Sequence, residues 1–187
     1  MKDVTFLGCG SWGGALGKLL SEKGLVITMW HRNPDVVNHL LNTKTHYLIP
    51  ELTFPSNVDF TNDISSAIQS SEIIVLALPS QSIRDVITKN KSSFNKNHII
   101  VNVSKGIEID TLMTVSEVIN DVLDGQHKSL VTLSGPSHAE EVISGHPTTL
   151  VAASNNVQSA EIIQNLFATE KLRTYLNRDI RLSLIHI

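Results

Sequence analysis

Val4-Thr5-Phe6-Leu7-Gly8-Cys9-Gly10-Ser11-Trp12-Gly13 is the stretch on which the reading of this sequence turns. A short apolar run feeds directly into a turn with glycines at its first, third and sixth positions. The segment 13–23 that follows carries apolar residues at helical spacing. Strand, glycine turn and helix in that order are the context a dinucleotide-binding fingerprint requires. Gly8 permits the tight turn, Gly10 lets the backbone approach a pyrophosphate, and Gly13 lets the helix pack closely on the strand. The phosphates would sit against free N–H groups at the positive end of the helix dipole, within reach of Ser11 and Trp12. Glycine clusters also occur in ordinary turns and in cofactor-binding folds of other chemistry, so the turn alone does not decide the function.

Outward from this turn, apolar runs alternate with amphipathic stretches. Strands are expected over 4–7, 26–30, 73–78, 99–103, 130–133 and 148–153, most of them buried on both faces. Helices are expected over 13–23, 34–41, 65–70, 82–90, 111–123, 138–144 and 157–167. The stretch 47–62, with Pro50 and Pro55, reads as a loop holding a short strand near 58–60. The alternation predicts an α/β fold: a Rossmann-type, doubly wound, mostly parallel sheet with helices on both faces. Residues 1–180 are expected to form this one domain.

Composition narrows the class of partner. The 187 residues carry a net charge of −3 with 18% charged residues, so no basic field argues for nucleic acid or an anionic membrane. No apolar run approaches a membrane span or a signal-peptide core. The single cysteine, Cys9, reads as a small filler in the turn, and the lack of a disulfide framework suits the cytoplasm. The histidines show no metal-ligand spacing, so no metal is expected.

Further candidates lie at the carboxyl ends of the expected strands, where open parallel sheets bind ligands. The second strand ends in Trp30-His31-Arg32-Asn33, without the carboxylate that an NAD-selective site uses to hold a ribose hydroxyl. Arg32 could pair with a 2′-phosphate or stack on adenine, so NADP(H) is expected to be accepted. Pro79 follows the strand near 73–78, and Lys105, between Ser104 and Gly106, supplies a cation at the same edge. Ser134-Gly135-Pro136-Ser137-His138-Ala139-Glu140-Glu141 is first of all a helix start, although Gly135 and Ser137 could face a ligand. His138 is read as structural or solvated, not catalytic.

Taken in order, these stretches resemble the bacterial NAD(P)-dependent glycerol-3-phosphate dehydrogenase family from about Val4 to Ile180. The glycine turn, Trp30-His31-Arg32, Tyr47-Leu48-Ile49-Pro50, Pro79-Ser80, Ser104-Lys105-Gly106 and the Gly135–Glu141 run all match, with Cys9 where the family usually has alanine. The resemblance implies that Ser11, Trp12, His31 and Arg32 bind NAD(P)H and that Ala139 lines its pocket. It implies that Lys105 touches cofactor and substrate, and that Gly135 and Ser137 help hold glycerol 3-phosphate or dihydroxyacetone phosphate. The implied reaction is reversible hydride transfer between C2 of the substrate and the nicotinamide, in the service of phospholipid synthesis. A homodimer of the full-length protein is compatible with the resemblance.

The resemblance fails over Arg181-Leu182-Ser183-Leu184-Ile185-His186-Ile187. The family's general-base lysine and helical substrate domain would follow the segment matched by Asn177-Arg178-Asp179-Ile180. The chain as given, with no catalytic residue of its own, is therefore expected to bind cofactor and turn over little or nothing. Two other readings stay open from the residues: a Rossmann dehydrogenase acting on a 3-hydroxy acid or sugar acid, and a non-catalytic dinucleotide-binding module.

Overall fold

The computed structural model describes residues 3–180, so the seven-residue tail at 181–187 lies outside the described residues. In chain order the elements are β1 (Val4–Leu7), α1 (Ser11–Glu22), β2 (Ile27–Trp30), α2 (Pro34–Thr43), β3 (Val58–Thr61), α3 (Ile64–Gln69), β4 (Ile73–Leu76), α4 (Ile83–Lys89), β5 (Ile99–Asn102), α5 (Val115–Leu123), β6 (Ser129–Ser134), α6 (Ala139–Ile143), β7 (Thr148–Ala153), α7 (Val157–Phe167) and β8 (Leu172–Asn177). The strands form one sheet in the order β3-β2-β1-β4-β5-β6-β7-β8. The first six are parallel; β7 runs antiparallel to β6, and β8 parallel to β7. This is the doubly wound, mostly parallel α/β sheet expected from the alternation.

Strand pleating divides the core between the two faces. Phe6, Val75 and Val101 point to one side, against Leu16 and Leu20 of α1, Leu40 of α2 and Phe167 of α7. Leu7, Leu76 and Ile100 point to the other, against Ile68 of α3, Ile87 of α4 and Ile119 of α5. Burial of each such side chain contributes about 1.5–3 kcal/mol. The central strands β1, β2, β5 and β6 are buried at every position, whereas β8, at an edge, exposes Tyr175 and Leu176.

Several boundaries differ from expectation for local reasons. The helix expected from residue 111 starts at Val115, because Leu112 takes a left-handed φ of 56° and Ile107 bridges to Thr114. Thr114 and Glu117 then form a reciprocal capping box. β4 stops at Leu76, since the Leu78 amide donates to the Ser104 hydroxyl at 3.1 Å rather than to a strand. β8 was not expected at all. No helix among the described residues is long and apolar enough to cross a membrane.

Candidate functional site

β1 pairs with β2 on one side and β4 on the other, so the connections leaving β1 and β4 diverge to opposite faces of the sheet. A crevice opens where they part. It is a cleft of about 440 Å³, walled by Gly10, Ser11, Trp12 and Gly13 after β1 and by Ala77, Leu78 and Pro79 after β4. Val103, Ser104 and Lys105 after β5, and Ser137, His138, Ala139 and Glu140 after β6, complete it. A groove of equal volume runs along the flank of α1 toward residues 142–145 and 169–171, but it meets no helix mouth at the switch in strand order.

The glycine turn is shaped by close approach. Gly8 has φ +109°, and a Cβ there would fall 2.3 Å from the Ala77 carbonyl oxygen. A Cβ on Gly13 would fall 2.4 Å from the Gly8 oxygen. Gly10, by contrast, has open space where a side chain would be. It is the N-cap of α1, yet no side chain caps this end and no acidic residue stands in its first turn. The dipole there is answered by no acid of its own first turn. The Trp12 indole N–H is buried with no acceptor among the described residues.

Across the cleft, the Lys105 ammonium donates to the carbonyls of Gly135 at 3.1 Å and Ser137 at 3.4 Å, and it pairs with no carboxylate among the described residues. These bonds join the β5 loop to the turn after β6. Gly135 is forced by packing, since a Cβ would meet the Thr149 oxygen of β7 at 2.4 Å. The Ser137 hydroxyl donates to the Gly135 carbonyl at 3.4 Å. Thus Gly10, Ser11, Trp12, Gly13, Pro79, Lys105, Ser137 and Ala139 share one cleft, with Gly8 beneath it and Gly135 at its rim. His138 is exposed and also lines it.

His31 and Arg32 lie outside this cleft wall, at the carboxyl end of β2, the neighbour of β1. Arg32 is exposed, while His31 is half-buried, its Nδ1 accepting from the Asn33 amide at 3.1 Å. Burial lowers the His31 pKa, with Arg32 adding to the effect, against a hydrogen bond to Asn33 that raises it. Cys9 is buried beside Met29, and desolvation pushes its pKa up to about 12.

One residue of the site escaped the sequence reading. His46 is 1% exposed, and its Nε2 stands 3.2 Å from the Cys9 carbonyl oxygen. Its Nδ1 accepts from the amides of Leu48 and Ile49 at 3.1 and 3.2 Å. Burial lowers its pKa, against hydrogen bonds to the Cys9 and Gly10 backbone that raise it. Tyr47 stacks on His46 with ring centroids 4.9 Å apart and places its hydroxyl 3.4 Å from the His31 Nε2.

The family model for the N-terminus of NAD-dependent glycerol-3-phosphate dehydrogenase matches residues 3–160. The chain belongs to that family. Curated relatives named glycerol-3-phosphate dehydrogenase [NAD(P)+] include one from Clostridium perfringens (strain SM101 / Type A), 44% identical over 181 residues. Another, from Thermoanaerobacter sp. (strain X514), is 40% identical over 177 residues. These alignments take in 96% and 95% of this chain but 54% and 53% of the relatives, so the chain spans about half their length. A crystal structure of glycerol-3-phosphate dehydrogenase from Coxiella burnetii is similar with a TM-score of 0.89 and 28% identity, over 96% of this chain and 55% of that one. A UDP-glucose dehydrogenase from Pyrobaculum islandicum, at TM-score 0.69 and 14% identity, shares the fold.

Proposed function

We propose that this chain holds NAD(P)H across the cleft and forms the coenzyme-binding half of a cytoplasmic enzyme interconverting sn-glycerol 3-phosphate and dihydroxyacetone phosphate. The observation that carries the reading is the uncapped mouth of α1 at the switch in strand order, in a chain of this family. The residues present fit such a ligand. Gly10 leaves room for a diphosphate, the first-turn amides of α1 await an anion, and the buried Trp12 N–H has no acceptor among the described residues.

In this reading the turn Gly8–Gly13 and the Ser11 hydroxyl hold the diphosphate. His31 and Arg32 take the adenosine end, with Pro79 and Ala139 as walls. When bound, the nicotinamide donates or accepts the hydride. Lys105, already oriented by two carbonyls, has a third N–H to offer an oxygen of coenzyme or substrate, and Gly135 and Ser137 frame the place of the phosphorylated substrate.

Arg32 is exposed in a segment that offers no carboxylate to repel a 2′-phosphate. Calorimetric titration with NADPH and NADH before and after Arg32→Ala tests both halves of the reading. Both coenzymes are expected to bind the parent chain, and the substitution is expected to shift the affinity ratio toward NADH by about tenfold. No heat with either coenzyme overturns the function, and an unchanged ratio removes Arg32 from it.

A further inference from the structure

We infer that His46 is a positioning residue of the coenzyme cleft: it ties the glycine turn to the 47–52 loop, and coenzyme affinity depends on its neutral Nε2–H form. The inference rests on the coenzyme reading of the cleft, and it concerns a residue that would itself touch no coenzyme.

The three hydrogen bonds of the ring fix its tautomer. The amides of Leu48 and Ile49 can only donate, so Nδ1 must present its lone pair; the Cys9 carbonyl can only accept, so Nε2 must carry the hydrogen. The Cys9 carbonyl and the Gly10 amide are the two ends of one planar peptide unit. Holding the carbonyl therefore sets the direction of the first amide at the mouth of α1. The helix is also shaped around the ring, because a Cβ on Gly14 would fall 2.7 Å from the His46 Cδ2. On its far side the ring anchors the loop that returns through the backbone bond from the His46 amide to the Leu52 carbonyl at 2.8 Å. Through the stacked Tyr47 the contact reaches His31.

Protonation would replace the Nδ1 lone pair with an N–H aimed at two other N–H groups, and the loop would have to let go. The titratable groups around the ring are Cys9 from the turn, His31 from the end of β2, His39 from α2 and Tyr47 from its own loop, while α1 presents Gly14. His31 and His39, when charged, disfavour the imidazolium, and the buried thiol stays neutral. Acidification thus loosens the glycine turn from behind.

NADPH titration by calorimetry of the 187-residue chain tests this, with His46→Asn, His46→Gln and His31→Gln beside the parent, at about pH 8 and about pH 5.5. Asn keeps an acceptor for the loop amides, whereas Gln keeps a donor for the Cys9 carbonyl. Each is expected to weaken NADPH by about tenfold at the higher pH. Because burial lowers the His46 pKa, acidification is expected to weaken the parent and His31→Gln more than either His46 variant, but by less than the roughly tenfold that an unshifted imidazole would give. Variants that match a binding parent at both pH values overturn the inference alone; a parent that gives no heat at the higher pH overturns the coenzyme reading with it. Should neither variant fold, imidazole nitrogen NMR of the parent decides. The Nε2–H tautomer with an Nδ1 shift that moves on NADPH addition supports the inference, and an Nδ1–H tautomer or an unmoved shift sinks it.

Discussion

α1 begins at Gly10 and α6 at His138, neither with a side chain that accepts from its own first turn, and both border the cleft. α2, α3, α5 and α7 begin at Asn33, Asp63, Thr114 and Asn156, and each of these side chains accepts an amide of the helix it opens. A cap of the second kind stabilises a helix by about 1 kcal/mol. The cap is absent at both helix mouths that border the cleft; it is absent also from α4, which begins at Ser82 away from the cleft wall but carries Asp85 in its first turn. The three uncapped ends differ in turn: α4 carries Asp85 and α6 carries Glu140 and Glu141 in the first turn, which answer the dipole, while the first turn of α1 carries no acid. Among the described α-helices, α1 is thus the one whose N-terminus has neither a side-chain cap nor an acid in its first turn.

The severest way to break this contrast is to close the turn itself. Gly8→Ala introduces a Cβ at φ +109° against the Ala77 carbonyl, and is expected to cost at least about 3 kcal/mol, a fall of roughly 6–12 °C in the unfolding midpoint. NADPH binding should go with it, as calorimetry beside a thermal melt would show. Gly10→Asp sharpens the contrast instead, because the added side chain enters open space at an ordinary φ of −80° and supplies the missing cap. Stability should rise by about 0.5–1 kcal/mol while NADPH affinity falls more than about tenfold. An equal or tighter affinity would refute the idea that the open mouth serves a ligand. The smallest effect belongs to a capped end: Thr114→Ala breaks the box on α5 and should lower stability by about 1 kcal/mol in a denaturant titration, with coenzyme affinity unmoved.

The features legible in the sequence were those made by neighbours along the chain. The strand, glycine turn and helix at residues 4–22 occupy one continuous segment, β2 and β4 through β7 followed from apolar runs, and β3 was read only as a short strand within the 47–62 loop. The capping box at Thr114 and Glu117 was equally local, yet the helix was expected to begin earlier because Leu112 and Met113 extended the apolar pattern. β8 escaped because its signal is short. Leu172 and Thr174 face inward and Arg173 outward, but Tyr175 and Leu176 both stay exposed and blur the alternation. His46 could not be found at all from spacing, since its partner Cys9 lies 37 residues away and a lone histidine in a loop has no pattern of its own. The placement of Lys105 at the carboxyl edge followed from its strand. Its bond to Gly135, 30 residues on, required the sheet to be folded.

The thiol in the middle of the glycine turn carries a further consequence. Burial pushes the Cys9 thiol up to about 12, so at neutral pH it is held in its protonated form. Peroxides and alkylating agents attack the ionised sulfur, and this one is also sealed from solvent beneath the turn. The glycine turn is thereby shielded from thiol oxidation and alkylation in the folded protein.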